Sequence, residues 1–193
     1  MNTTLKKALI LIAFIGFTYG AKAQYSAVPD TARFSIGIDG FAPSGNFGNE
    51  YKSGVGASLQ FEYPINDKLY VTANAGYDMF SANNSSTNPN YITNVKTSNM
   101  NAAPFKIGLK WFLIRTFYIQ GEAGQTLLLN KTAVYAQDGS AFTWSPQMGI
   151  IFRLKQKSYI DAGIRYEKAQ SFYADGSYNG MWAARVAYSL NIK

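Results

Sequence analysis

The sequence predicts an eight-stranded, antiparallel, up-and-down transmembrane β-barrel, and three features carry that reading. Apolar and polar residues alternate with a period of two in eight segments, as in strands with one greasy and one polar face. The connections between the segments run long, short, long, short, long, short, long. In a meander alternate connections share an end, so all long loops fall at one end and all short turns at the other. The apolar rows also carry no charge over their central spans, where a Lys or Arg facing lipid would cost about 2–4 kcal/mol.

Composition is consistent with this. The 193 residues suit one domain, and they include 14 Tyr, 13 Phe and 3 Trp with only 15% charged residues, which fits a surface that does not all face water. There is no cysteine and no histidine. Disulfides, thiol nucleophiles and lipid attachment at an N-terminal cysteine are therefore excluded, and the commonest acid–base group and metal ligand is missing.

Residues 1–23 read as a signal peptide. Lys6 and Lys7 precede the apolar run Ala8 to Phe17, which is too short to span a membrane as a helix, and Ala21-Lys22-Ala23 has the small-x-small pattern of a cleavage site. Cleavage after Ala23 is expected, with an anchoring amphipathic helix as the alternative. It removes three lysines and lowers the formal charge from +7 to +4. The remaining basic residues are scattered, so no nucleic-acid partner is expected.

Residues 24–30 form an aperiodic lead-in, and the barrel is expected over 31–193. The first strand starts near Thr31, with Phe34, Ile36 and Ile38 on one face and Arg33, Ser35, Gly37 and Asp39 on the other. A Gly-rich loop, roughly Ala42 to Ser53, precedes the clearest hairpin. There Val55, Ala57, Leu59, Phe61 and Tyr63 oppose Gly56, Ser58, Gln60 and Glu62, and after the turn at 64–68 the apolar face resumes with Leu69, Val71, Ala73, Ala75, Tyr77 and Met79. A loop from Ser81 to Ala102 leads to strand four, Phe105 to Ile114. The short turn Arg115-Thr116 leads to strand five, which begins at Phe117. The run Leu127-Leu128-Leu129 breaks the apparent alternation and has no assigned face.

After a loop at 130–140, strand six sets Phe142, Trp144, Met148, Ile150, Phe152 and Leu154 against Thr143, Ser145, Gln147, Gly149 and Arg153. Pro146 has no N–H for a ladder, so a bulge or a late start of pairing is expected there. Strand seven places Ile160, Ala162, Ile164 and Tyr166 opposite Asp161, Gly163, Arg165 and Glu167. The eighth, Trp182 to Ile192, follows a loop at 169–180.

Alternation alone does not say which face looks inward, and a soluble lipocalin-like barrel would turn the same faces the other way. Two observations favour lipid outside. Large aromatics on the apolar face lie toward strand ends, as in interfacial girdles: Tyr63, Trp111, Phe117, Phe152 and Tyr188 at one end, and Tyr77, Phe105, Trp144, Tyr166 and Trp182 at the other. The polar face holds six cations, Arg33, Lys106, Lys110, Arg153, Arg165 and Arg185, against six anions, Asp39, Glu62, Asp78, Glu122, Asp161 and Glu167. It also carries a glycine on seven of the eight strands, Gly37, Gly56, Gly76, Gly108, Gly124, Gly149 and Gly163, which leaves room for long charged groups to cross and pair. A solvated face with an accidental balance is the alternative.

With signal, spans and loop asymmetry assembled, the chain resembles the small bacterial outer-membrane β-barrel proteins, of the outer-membrane protein X type and the barrel domain of outer-membrane protein A. The segment Ala184 to Lys193 looks like their C-terminal assembly signal, except that it ends in Lys193 rather than an aromatic residue. The resemblance implies a bacterial outer-membrane address. Its implied partners are outer-membrane lipid and lipopolysaccharide, the barrel-assembly machinery and an unidentified surface ligand. With no domain after the barrel, peptidoglycan binding is not expected.

An enzyme is the least favoured class. Glu62 and Glu122 are the obvious carboxylate pair, but the balanced cations point to structural pairing, and no phosphate loop or metal-ligand cluster suggests a cofactor. The leading expectation is a closed, non-enzymatic barrel serving envelope structure or surface interaction through four long loops, with Asn83 to Asn99 and Tyr173 to Tyr178 as contacts. The alternatives are porin-like passage of small or hydrophobic solutes, with Tyr91, Tyr135, Phe142 and Phe172 at the mouth and a lateral gap at Pro146, or a role as accessory of a secretion or assembly complex.

Overall fold

The computed structural model describes residues 31–83, 98–155, 157–172 and 178–192. The expected signal peptide, its expected cleavage site, the lead-in, Tyr91, Lys193, and most of Asn83–Asn99 and Tyr173–Tyr178 lie outside the described residues.

Each alternating segment forms a strand: β1 Arg33–Ser44, β2 Tyr51–Pro64, β3 Leu69–Ala82, β4 Met100–Phe112, β5 Phe117–Leu128, β6 Ser140–Lys155, β7 Ser158–Gln170 and β8 Tyr178–Asn191. Every strand pairs antiparallel with the next, and β1 closes on β8 from Arg33↔Asn191 to Ser44↔Gly180, which makes a closed barrel with no free edge. The strands are 12–16 residues long, more than the roughly 9–11 that a tilted strand needs to cross a bilayer.

The period of two becomes two surfaces. Along β1, Arg33, Ser35, Gly37 and Asp39 are buried while Phe34, Ile36 and Ile38 are exposed. Ile38 and Ile107 are 71% and 70% exposed, and a band of such side chains rings the wall. A soluble barrel would bury this face, so the lipocalin-like alternative fails on the direction of the side chains.

Four details depart from the sequence reading. The connection after β1 is not a loop throughout, because β1 runs to Ser44 and is followed by a short helix, α1 (Gly45–Glu50), entered through Gly45 at φ 60°. The connection between β3 and β4 is shorter than Ser81 to Ala102, since β4 begins at Met100. The three leucines continue the alternation, with Leu127 and Leu129 outward and Leu128 buried.

Pro146 makes a gap rather than a bulge. Its pairing with Gly121 of β5 is in register, but on the β7 side the ladder passes from Trp144↔Lys168 to Gln147↔Arg165 without pairing Ser145 or Pro146. Pro104 has the same effect between Ala75↔Phe105 and Asp78↔Ala102. In both cases the missing N–H leaves the flanking register intact.

Candidate functional site

The lumen is where the unusual chemistry gathers, and the sheet register explains how it fits. Gly56 pairs with Asp78, Gly108 with Glu122, Gly124 with Lys106 and Gly163 with Arg185, so four long charged side chains lie across from a residue without one. A Cβ on Gly108 or on Gly124 would lie 2.0 Å from a backbone oxygen of the neighbouring strand, Gly121 O and Phe105 O respectively. No L side chain fits at either position.

The charges form two groups. Toward the short turns, Glu62 binds Arg33, and Lys110 Nζ lies 2.8 Å from Glu62 Oε1 and 2.6 Å from Asp161 Oδ2. Tyr118 donates to Asp161 at 2.6 Å and accepts from Gln147 Nε2 at 2.8 Å. Arg33 stacks on Tyr70, 4.6 Å from the ring centre. Toward the long loops, Lys106 binds Glu167 at 2.6 Å and approaches Glu122 at 4.0 Å, while Arg165 lies 3.3 Å from both Asp39 and Glu167. Ser58 donates to Asp39 and accepts from Arg185 Nε, which brings β8 into this group. Gln60 donates to Glu62 and accepts from Asn74 and Gln120, an amide cluster attached to the first group.

Apolar layers close both ends. Under the long loops, Phe41, Phe47 of α1, Tyr51, Phe80, Met100 and Phe172 are all at most 4% exposed, and the rings of Phe41, Phe47 and Tyr51 pack on Phe80. Val134 and Ala136 of the β5–β6 connection join this layer. At the short-turn end, Tyr70, Phe112, Tyr118, Ile151 and Tyr159 form a second layer. A plug of charges thus sits between two aromatic lids, with five of its six buried carboxylates and both of its buried lysines in ion pairs, as burial requires.

Of the twelve predicted interior charges, eleven are buried: Arg33, Lys106, Lys110, Arg165, Arg185, Asp39, Glu62, Asp78, Glu122, Asp161 and Glu167. Arg153 is not. It is exposed at the end of β6, where the register shifts between Arg153 and Lys155 and strict alternation stops. Among the described residues the interior therefore holds five cations and six acids, and Asp78 is the acid with no cation within 4 Å. Glu62 and Glu122 bind different partners: Glu62 has Arg33 and Lys110, and Glu122 has Thr72 and Lys106.

The ten girdle aromatics all lie on the outer face. Tyr63, Tyr77, Trp111, Trp144, Trp182 and Tyr188 are exposed, and Phe117, Phe152 and Tyr166 are half-buried among neighbours. Phe105 is exposed as well but stands inside β4 rather than at its end, because the strand starts earlier than its alternation suggested. Tyr135 and Phe142 are exposed, whereas Phe172 is buried in the upper lid and unavailable as a mouth residue. The lids are what sequence reasoning missed. A visible signal was the set of aromatics on the polar face, Tyr70, Phe112 and Tyr118, which alternation places inside among the charges.

No protein-family model matches the chain, and no curated protein matches it in sequence. Solved structures do match in shape. The outer membrane protein OprG from Pseudomonas aeruginosa superposes with a TM-score of 0.53 at 11% identity, over 84% of this chain and 96% of that one. The chain has the fold of the eight-stranded outer-membrane β-barrels. Two others resemble it more loosely: Ail, the attachment invasion locus protein of Yersinia pestis (TM-score 0.49, 14% identity, 84% and 100% of the two chains), and Neisserial surface protein A (TM-score 0.47, 13% identity, 84% and 96%). At these identities the likeness concerns the fold, not an activity.

Proposed function

We propose that this protein is a closed, non-enzymatic barrel of the bacterial outer membrane that contributes to envelope structure and presents its long-loop end for surface interaction, not a solute channel. The observation that carries this reading is the layered interior of lid, charge plug and lid. A lumen in which Lys110 holds two carboxylates and Tyr70, Phe112 and Tyr118 fill the floor has no room for a water-filled path. The upper lid then has a second consequence. It fixes α1 and the β5–β6 connection against the barrel rim, which gives the outer end a defined surface.

The outer-membrane address is supported by the apolar band and by the fold, and the assembly machinery and lipopolysaccharide are the partners that such an address implies. The test is a barrel in which residues 84–97 are replaced by a short Gly-Ser turn. Heat-dependent gel mobility should show normal assembly, while any surface-binding phenotype of expressing cells should be lost. Retained binding by an assembled barrel would move the function to the wall or the lumen.

A further inference from the structure

The lipid-facing wall is not evenly covered. Two neighbouring rows of outward residues, each running from strand to paired strand, border a single depression of about 940 Å³. The lower row is Leu69, Trp111, Ile119, Met148 and Ile164, every member directly paired with the next. The upper row starts with the pairs Leu109↔Gly121 and Gly121↔Pro146 and ends with Tyr166↔Trp182, whose rings lie 5.1 Å apart. Gly121 has no side chain and Pro146 a compact one, so the wall sinks where they meet. A Cβ built on Gly121 would touch nothing within 4 Å.

The depression has a direction and a charged end. It begins at the short β2–β3 turn, where Asn66 Oδ1 accepts from the backbone N–H of Lys68 and Leu69 and fixes the turn, with exposed Lys68 at the groove's mouth. From Leu69 to Ile164 the lower row crosses four strand spacings of about 4.8 Å, and with a strand tilt near 40° it climbs about 12 Å. That is close to the depth of one leaflet of a ~30 Å hydrocarbon core. The outward side chains along the groove are apolar, Gln120 and Gln147 also line it, and Lys68 is its one charged lining residue, at the headgroup level.

We infer that this groove is a binding site for a phospholipid of the leaflet on the short-turn side, with one acyl chain lying over Gly121 and Pro146 and the anionic phosphate held at Lys68. A flat wall exchanges its neighbouring lipids without preference. Here the recess gives one chain contact on three sides and the lysine selects headgroup charge.

Native mass spectrometry of the barrel released from nanodiscs of equal phosphatidylglycerol and phosphatidylethanolamine tests the site. The expected spectrum retains one phospholipid per barrel, with phosphatidylglycerol favoured. Gly121→Leu fills the recess from the outside and should lower retention about tenfold, while Lys68→Ala should keep a lipid but lose the preference for phosphatidylglycerol. Heat-dependent gel mobility establishes that both variants are folded. Equal retention by Gly121→Leu and the parent, absence of a retained lipid from the folded parent, or a second copy of the chain retained in its place would each overturn the inference.

Discussion

Lys110 is held by two acids from different strands, Glu62 of β2 and Asp161 of β7, with its Nζ 3.9 Å from the centre of the Tyr118 ring. Replacing it with methionine keeps the stem, leaves Asp161 with the Tyr118 hydroxyl but no cation and takes one of the two cations of Glu62, so Lys110→Met should lose about 3–5 kcal/mol, the cost of breaking a buried pair. Asp78 behaves oppositely. It is buried with no cation within 4 Å, in an interior with one more acid than cations among the described residues, so Asp78→Asn should leave stability unchanged or raise it. The outward Ile164→Leu should change stability by less than about 1.5 kcal/mol. Urea unfolding followed by gel mobility reads all three, and equal losses for Lys110→Met and Ile164→Leu would mean that the faces are assigned backwards. The sequence placed eleven of these charges on the inner face through simple alternation. It did not say which charges meet, because partners such as Lys110 and Asp161 come from strands distant in the chain, and Arg153 was misplaced because a register shift at a strand end is invisible to a period of two.

β4 and β5 show how a strand pair makes room for its charges. Gly108 faces Glu122 and Gly124 faces Lys106, and the backbones approach so closely that an added Cβ would meet a carbonyl oxygen rather than a flexible side chain. Gly124→Val should therefore block folding of the barrel, seen as loss of the heat-modifiable band, whereas Gly121→Leu on the same strand should not, because its Cβ points into open space. A folded Gly124→Val barrel of parental stability would contradict the close packing of these strands. The eight strands themselves were legible from alternation. Their ends were less so: β4 begins five residues before Phe105, and α1 lies in a stretch read as loop, because Gly45–Glu50 has one apolar anchor, Phe47, and no helical period to announce it. The gap at Pro146 was anticipated as a defect, but its form depends on a register that only the paired strands define.

The barrel taken entire is a lipid-facing wall around a plug that closes in three layers, and the alternation of long and short connections told the two ends apart without showing that a lid forms at either. The upper lid needs Val134 and Phe172 from two separate long connections as well as α1, a convergence that no local pattern encodes. Closure is the central claim, since it separates the proposed surface role from transport. Single-channel recording from the refolded chain beginning at Gln24 in a planar bilayer, with gel mobility establishing that the inserted protein is folded, tests it directly. The layered interior predicts a silent barrel with no steady current steps; discrete, reproducible conductance from folded protein would mean a wet, continuous lumen and would contradict it.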